Sequence, residues 1–262
     1  MIVKEYRIPL PLDEDQYNRG CLYMTARAAL EDFDARKGNA IETIENKPYE
    51  KDGEQGQYTD KIFHVQDMAP AWLRPLLPKK AREVREVCYN GGAHVVTWYE
   101  CKFFSQFNVK CETIFTPGGP HDIPGLFSED NAIVDIIDIA GEKLDKKHYD
   151  PKYDPTQIGS EKAGIQPLKA RFWELPEYSH LPMITARKMV TVHIKFPFQR
   201  KIEKTAQGMF REMFLKYQQK LYCWTDDWFN MNMDDIRKYE DYVAEEVEKM
   251  MSNFDADGNK IK

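Results

Sequence analysis

The chain has few of the features that mark several large protein classes. Its 262 residues include only five cysteines, at positions 21, 88, 101, 111 and 223, and they form no CxxC pair. An odd number of widely spaced cysteines indicates free thiols in a reducing compartment. No apolar run reaches the roughly 18 residues that a bilayer-spanning helix needs, and the N-terminus lacks the apolar stretch of a signal peptide. These absences predict a soluble, cytoplasmic protein.

Excess positive charge is also missing. With 43 acidic and 37 basic residues, the net charge is −6, which argues against a nucleic-acid binder. The same balance argues against strong electrostatic attachment to anionic lipids, although a local basic patch could escape this average. The six histidines are scattered, so no metal site is predicted, and no GxSxG nucleophile motif occurs. We therefore expect no catalytic residues and no cofactor.

The residues that are present predict one α+β domain. Apolar residues make up 42% of the chain and aromatic residues 13%, enough for a sizeable core. Alternating segments predict strands at 2–8, 40–47, 57–66, 83–90, 93–104, 107–116, 132–140 and 183–196, and helical spacing predicts helices at 13–30, 199–228 and 233–251. Crossover helices are lacking, so the strands should form one large antiparallel sheet. The domain should span 1–251, followed by a polar tail at 252–262.

Two segments have no clear periodicity. Residues 71–77 lie between prolines and can form only a short helix or a loop. Residues 141–182 form a long stretch with turn signals, and a loop of this length is usually functional or mobile.

Three charged residues fall where the pattern calls for apolar ones. Each shares a strand or helix face with apolar neighbours: Lys61 with Phe63 and Val65, Lys188 with Val190 and Val192, and Glu240 with Ile236 and Val243. Burying an unpaired charge is costly, so such residues are usually paired or bind something. If these faces line one interior, the protein encloses an apolar cavity with a few fixed charges, which suits an amphiphilic ligand.

The three charges could also occupy these positions without any ligand. Lys61 could be solvated on an edge strand, and Lys188 could extend its ammonium group to water from near a strand end. Glu240 could simply border the helix stripe. A lysine–glutamate ion pair would also account for two of the three residues.

Several segments resemble the phosphatidylinositol transfer protein family. The most specific is YEKDGEQGQYTDK at residues 49–61, and similar matches occur at 4–7 (KEYR), 188–192 (KMVTV), 223–228 (CWTDDW) and 233–237 (MDDIR). The matches run in order from residue 2 to about 251, and the likeness weakens over 117–182. The resemblance implies a START-like helix-grip fold, in which a large curved antiparallel sheet and long helices enclose a lipid cavity.

The same resemblance implies site residues and a function. Inositol-binding positions fall at Thr59, Lys61, Asn90 and Glu240, and phosphate-binding positions at Thr97, Thr113 and Lys188. The implied activity is the exchange of phosphatidylinositol and phosphatidylcholine between membranes by a monomer that carries one phospholipid as cargo and touches the membrane surface transiently. From the residues alone, Asn90 would be a turn residue, and the threonines would be ordinary strand formers.

The chain departs from the family pattern at three places. A glutamine that helps to hold the phosphate is Cys21 here, and a cysteine that follows the Asn90 turn is Val95. The paired tryptophans of the membrane-docking turn are replaced around Phe196 and Phe198, which are predicted to dock on the membrane together with Trp72. The C-terminal helix and the segment 71–77 are the candidate gate.

Three functional hypotheses follow from the sequence. The first is the lipid carrier that the resemblance implies. The second is a cavity enzyme that uses Lys188 or Glu240 as a base, since perturbed charges in a pocket also suit catalysis. The third is a lipid sensor or adaptor that presents phosphatidylinositol to a lipid kinase.

Overall fold

The computed structural model describes residues 1–33, 41–51, 53–64, 72, 75, 81, 83–92, 94–104, 106–121 and 132–253. The strands are β1 (Ile2–Leu10), β2 (Ile41–Lys51), β3 (Glu54–His64), β4 (Glu83–Asn90), β5 (His94–Glu100), β6 (Phe107–Pro117), β7 (Ile133–Ile136) and β8 (Ile184–Ile194). The helices are α1 (Glu14–Glu31), α2 (Gln199–Cys223), α3 (Thr225–Trp228) and α4 (Met233–Met251), and short 3₁₀ turns occupy Pro151–Tyr153, Phe172–Glu174 and Pro176–Tyr178.

The described strands form one sheet in the order β2-β3-β4-β5-β6-β8-β1-β7. This confirms the predicted α+β, helix-grip architecture. The prediction of a purely antiparallel sheet is wrong at one edge, because β7 pairs in parallel with β1. A parallel pair needs only a long connection. Here the connection is the whole of α1 and β2–β6 rather than a single crossover helix, and for that reason local sequence patterns do not indicate it.

Helix α2 covers one half of the inner face of the sheet, above β1 and β8. Ile8, Val190 and Val192 are buried on that face. The Tyr6 hydroxyl donates to the Gln207 backbone carbonyl at 2.8 Å. The long amphipathic helix therefore packs on the sheet, as its apolar stripe predicts.

The predicted continuous helix over 199–228 is wrong near its end. The backbone leaves helical geometry at Trp224 (φ −93°, ψ 9°), and a separate short helix follows. The Thr225 hydroxyl donates to the Tyr222 carbonyl at 2.6 Å. Trp228, which is fully buried, donates from Nε1 to the Leu221 carbonyl at 3.1 Å. The break turns the Trp228 ring back into the core, where its large apolar surface is removed from water.

Both predicted N-terminal helix caps are confirmed. Asp13 and Gln16 form a capping box at α1, and Asn232 and Asp235 form one at α4. The apolar stripe of α4 is buried against α1 in a small cluster that includes Ala26, Val243 and Val247. Helices α1 and α4 therefore act as one packed pair beside the sheet.

The long segment 141–182 is anchored to α2 by hydrogen bonds rather than loose. Gln219 donates to the carbonyls of Ile139 and Glu142 at 2.9 and 3.0 Å, and the Tyr222 hydroxyl donates to Gln166. Strands β5 and β7 are shorter than predicted. The predicted segment 71–77, apart from Trp72 and Pro75, and the tail beyond residue 253 lie outside the described residues. Across the described ranges, no helix is long and apolar enough to cross a membrane.

Candidate functional site

Strand register places six of the seven predicted head-group residues on the inner face of the sheet. One row of paired residues contains Thr59, Cys88, Thr97, Cys111 and Val190, and the next contains Gln57, Asn90, Val95, Thr113, Lys188 and Tyr6. A third row contains Lys61, Glu86, Tyr99, Val109 and Val192. Because side chains alternate along a strand, every member of these rows points to the same side. The buried residues Val190 and Val192 identify this side as the inner face.

Two predicted phosphate-binding residues meet on this face. The Lys188 ammonium donates to the Thr113 hydroxyl at 3.2 Å and lies 5.3 Å from the centre of the Phe214 ring. Thr113 is only 4% exposed. Lys188 has therefore not extended to bulk water; its charge stands between a hydroxyl and an aromatic face, where an anion would be strongly attracted. Thr97 lies one row away on the same face.

Helix α1 brings Cys21 to the same place. Burial raises the pKa of the Cys21 thiol, and the charge of nearby Lys188 partly opposes that rise. The position therefore does border the predicted phosphate site, although a thiol is a much weaker hydrogen-bond donor than the glutamine amide it replaces. Val95 stands where the family pattern has a cysteine, so this position contributes no thiol to the inner face. Cys88 and Cys111 do lie on that face.

Lys61 faces a carboxylate that the sequence analysis missed. Its register partner on β4 is Glu86, and β3 lies between β2 and β4, so the alternative of a solvated lysine on an edge strand is wrong. Burial raises the pKa of Glu86, whereas the Lys61 charge and the nearby Tyr99 hydroxyl lower it. The signal was available, because Glu86 shares its strand face with Cys88 and Asn90.

The inner face is covered unevenly. Tyr6, Ile8, Val190 and Val192 on β1 and β8 are fully buried. Thr59, Lys61, Glu86, Thr97 and Tyr99 keep part of their surface accessible, as does Lys188. Burial nevertheless raises the pKa values of Glu86 and Tyr99. Side chains that lie deep in a fold yet keep accessible surface are expected to border an internal space.

Asn90 combines a turn role with a position at the site. Its side-chain carbonyl accepts a hydrogen bond from the Gly92 N–H at 2.9 Å, and Gly92 has a φ of 82°. The turn prediction is therefore confirmed, whereas the assignment of Asn90 to inositol stays a prediction. A Cβ atom at Gly56 would lie 2.1 Å from the Asn90 carbonyl oxygen. Only glycine lets β3 approach this close, which explains one glycine of the 49–61 motif.

Asn90 also lines an open cavity of about 780 Å³ between the β2–β3 hairpin, the β4–β5 turn and the first turns of α1 and α4. Its polar lining includes Asp15, Asn18, Gln55, Gln57 and Arg237. Arg237 donates to Glu240 at 2.5 Å, and the Glu240 side chain is 19% exposed. Glu240 therefore borders the apolar stripe and is held one helical turn from this cavity. The described contacts do not join it to Thr59, Lys61 or Asn90.

The predicted membrane-docking residues lie at the other ends of the strands. Phe198 is 67% exposed, and its ring centre is 6.5 Å from that of Trp72. Phe196 packs against Phe104 at 5.3 Å. These residues adjoin the end of β8, whereas Asn90 and its cavity adjoin the start of β5.

Comparisons with known proteins show the family to which the chain belongs. The profile of the family described as "Phosphatidylinositol transfer protein" matches residues 1–245, and the chain belongs to this family. It is 33% identical to phosphatidylinositol transfer protein 1 of Dictyostelium discoideum, over 97% of both chains. It is 35% identical to protein retinal degeneration B of Drosophila melanogaster and 33% identical to membrane-associated phosphatidylinositol transfer protein 1 of Mus musculus. These two matches include 92% and 96% of the chain, respectively. The chain spans only about a fifth of the length of each of these two relatives.

Glu86 gives a direct test of the site on the inner face. We expect Glu86→Gln to lower phosphatidylinositol transfer about fivefold, because the Lys61 ammonium loses the charge of its cross-strand neighbour, an interaction of up to about 1 kcal/mol. Phosphatidylcholine transfer should stay unchanged. Vesicle-to-vesicle transfer assays with each lipid measure the effect.

The matched control for this variant is Glu112→Gln. Glu112 lies on the opposite face of the sheet, paired with Lys110 at 2.6 Å, so its replacement should leave both activities intact. A parallel decline of both lipids in Glu86→Gln would contradict the role assigned to Glu86.

Proposed function

We propose that the protein is a cytoplasmic, monomeric carrier that binds one phospholipid inside the fold and exchanges phosphatidylinositol and phosphatidylcholine between membranes. The observation that carries the proposal is the Lys188–Thr113 contact, a fixed cation and hydroxyl at the base of an inner face. Family membership supports phosphatidylinositol as a cargo. The bound phospholipid is cargo, so the proposal needs no cofactor and no catalytic residue.

The acyl chains supply most of the affinity in this proposal. Each buried methylene contributes about 0.8 kcal/mol, so two chains outweigh any head-group contact. Lys188 lies six residues before Ile194 at the end of β8, a depth of roughly 20 Å at about 3.4 Å per residue. One leaflet of a bilayer has a hydrocarbon thickness of roughly 15 Å. A phosphate held at Lys188 would thus leave room for acyl chains toward the Phe198 end.

The head group supplies the selectivity. Inositol hydroxyls can bond to Thr59, Lys61, Asn90 and Glu240, whereas choline cannot and leaves these groups dependent on water. The phosphodiester is common to both lipids, and Lys188, Thr113 and Thr97 are the residues proposed to bind it. In this proposal, selectivity depends on residues of β3, β4 and α4, whereas general lipid affinity depends on residues of β5, β6 and β8.

Exit of the lipid requires an opening. We propose that Phe196, Phe198 and Trp72 dock on the membrane, and that the C-terminal helix and the segment 71–77 open there. When closed, the protein hides its apolar interior from water. When open, it exposes that surface only to the bilayer.

Mass spectrometry of the lipid that co-purifies with the full chain, together with vesicle transfer at substoichiometric protein, tests the proposal. We expect one phospholipid per chain, with phosphatidylinositol and phosphatidylcholine recovered, and many lipids moved by each molecule. Retention of phosphatidylinositol without transfer would instead favour the sensor that presents it to a kinase. Recovery of a chemically altered lipid would favour the enzyme that uses Lys188 or Glu240.

A further inference from the structure

We infer that the β5–β6 turn is a second membrane-insertion element, and that the basic residues around it select membranes with anionic lipids. The surface consists of Lys102, Phe103 and Phe104 from this turn together with the β8–α2 segment 195–204, and we call it the aromatic-basic surface. The inference rests on the proposed carrier function, because it adds a membrane-recognition device to the same docking end.

The rings of the two segments form one continuous cluster. Phe103 contacts Phe104 and Phe196 with ring centres 5.1 and 6.1 Å apart, and Phe104 contacts Phe196 and Phe107 at 5.3 and 5.7 Å. The Lys195 N–H donates to the Gln106 carbonyl at 3.0 Å and ties the two segments together. The β5–β6 turn is therefore packed against the β8–α2 segment and hydrogen-bonded to it.

One ring of this cluster, Phe103, and one further ring on the β8–α2 segment, Phe198, point to solvent. Phe103 is 37% exposed and Phe198 is 67% exposed. Phe198 also has a left-handed backbone, with φ 63° and ψ 29°, which is costly for a residue that has a Cβ atom. This conformation holds the ring away from the core, although burial would favour the opposite arrangement. Phenylalanine rings displayed in this way are suited to the interface of a bilayer.

The charge around these rings is positive in a chain whose net charge is negative. Lys102, Lys195, Arg200, Lys201 and Lys204 are all exposed. Within Lys102–Phe104 and 195–204 the only acid is Glu203, which is 2% exposed and bonds to Gln199. Glu100, an exposed acid at the end of β5, pairs with Arg85. Lys201 lies 4.0 Å from the Trp72 ring centre, so the positive charge reaches the third predicted docking residue.

This combination identifies the occupant as an anionic bilayer rather than a protein. Exposed rings supply apolar insertion, and basic residues beside them attract lipid phosphates with roughly 1 kcal/mol for each lysine or arginine near the surface. The opposite end of the sheet carries the polar cavity lined by Asp15, Gln57 and Asn90. The molecule is thus polarised, and it should meet a membrane with one end only.

Sedimentation of the full chain with vesicles tests the inference. We expect tighter binding to vesicles of phosphatidylcholine with phosphatidylserine than to phosphatidylcholine alone. Lys195→Gln/Lys204→Gln should weaken binding to the anionic vesicles roughly 25-fold, from about 1 kcal/mol for each lysine. Phe103→Ser should weaken it roughly threefold, because only the exposed part of the ring gains by insertion. High salt should suppress the difference between the two kinds of vesicle.

Matched controls separate a local effect from a general one. Lys146→Gln/Lys147→Gln removes two exposed lysines from the 141–182 segment, and Ile133→Ser removes an exposed apolar side chain on β7. Both should bind vesicles as the unaltered chain does. Insertion itself is read from tryptophan quenching by brominated phosphatidylcholine in anionic vesicles, which should be stronger for Phe103→Trp than for the unaltered chain with its five native tryptophans.

The outcomes distinguish this inference from the proposed carrier function. If the Phe103 and lysine variants bind anionic vesicles like the unaltered chain, the inference is wrong, even if lipid transfer is observed. If the unaltered chain transfers no phosphatidylinositol but binds vesicles through these residues, the carrier proposal is wrong and the inference holds. Content of co-purified lipid should be the same in all variants, because the replaced side chains are all exposed.

Discussion

Lys61→Ala is expected to abolish phosphatidylinositol transfer while phosphatidylcholine transfer continues. Lys61 lies on the inner face opposite Glu86, on a strand that has neighbours on both sides. A hydrogen bond to a charged group contributes about 1.5–3 kcal/mol, so its loss should weaken binding of the inositol head group by roughly ten- to a hundredfold. Choline offers no hydroxyl to this lysine and should be unaffected. Thr59→Glu should act in the same way, by placing a carboxylate where the sugar would lie.

The measurement is parallel vesicle transfer of the two lipids. Lys110→Ala is the matched control, because Lys110 lies on the outer face of β6 and pairs with Glu112. It should transfer both lipids normally. If Lys61→Ala lowers transfer of both lipids equally, Lys61 contributes to folding or to the cavity as a whole, and its assignment to inositol is wrong.

Lys188→Ala is expected to abolish transfer of both lipids. The phosphodiester is common to the two cargoes, and Lys188 presents the ammonium group that neutralises it beside the Thr113 hydroxyl. A charge-assisted contact at a site of low dielectric is worth at least about 1.5–3 kcal/mol, a tenfold to hundredfold loss of affinity. Thr113→Val keeps the shape of the side chain and removes only the hydroxyl, so its effect should be smaller and again equal for both lipids.

Lipid content and stability must be measured together in this experiment. The purified Lys188→Ala variant should carry less phospholipid by mass spectrometry, while its thermal unfolding should show no loss of the fold, because an apolar residue fits beside Val190 and Phe214. Loss of phosphatidylinositol alone would mean that Lys188 recognises the sugar rather than the phosphate. In that case, the residues that select phosphatidylinositol could not be distinguished from those that bind any phospholipid.

Much of the fold could be predicted because local patterns and global packing agree. The alternation of residues 184–194 predicts a strand with one buried and one wet side, and the structure confirms the strand and places it in the interior of the sheet. The wet side was wrong over its first half, because Thr185 and Arg187 are also buried. The capping boxes at Asp13 and Asn232 mark the helix starts correctly. The β1–β7 pairing was missed because a four-residue edge strand has no periodic signal and its partner lies 129 residues away along the chain, as between Lys4 and Ile133. The break at Trp224 was missed because tertiary burial of Trp228 overrides helical spacing.

The candidate site was likewise predicted only in part. The alternation of Lys188 with apolar residues predicted its inward direction, and the resemblance grouped it with Thr97 and Thr113. Neither indicated that Glu86 faces Lys61, because cross-strand neighbours depend on register, and the long connection between β3 and β4 does not specify the register of these strands. The placement of Glu240 beside Arg237 is a helical contact three residues apart, yet the sequence analysis weighed only apolar neighbours. The assignment of Glu240 to inositol stays a prediction.

The separation of the two ends of the sheet has a consequence for how cargo would travel. Exposed rings lie at the end of β8, and Asn90 with its cavity lies at the far end of the same surface. A phospholipid in a leaflet already points its polar end away from the hydrocarbon. In the proposed docking, the lipid can leave the leaflet along the membrane normal with its head group first and its acyl chains following. It then enters the protein without reversing its orientation. Delivery reverses the same straight path, so donor and acceptor leaflets must both face the compartment in which the protein diffuses.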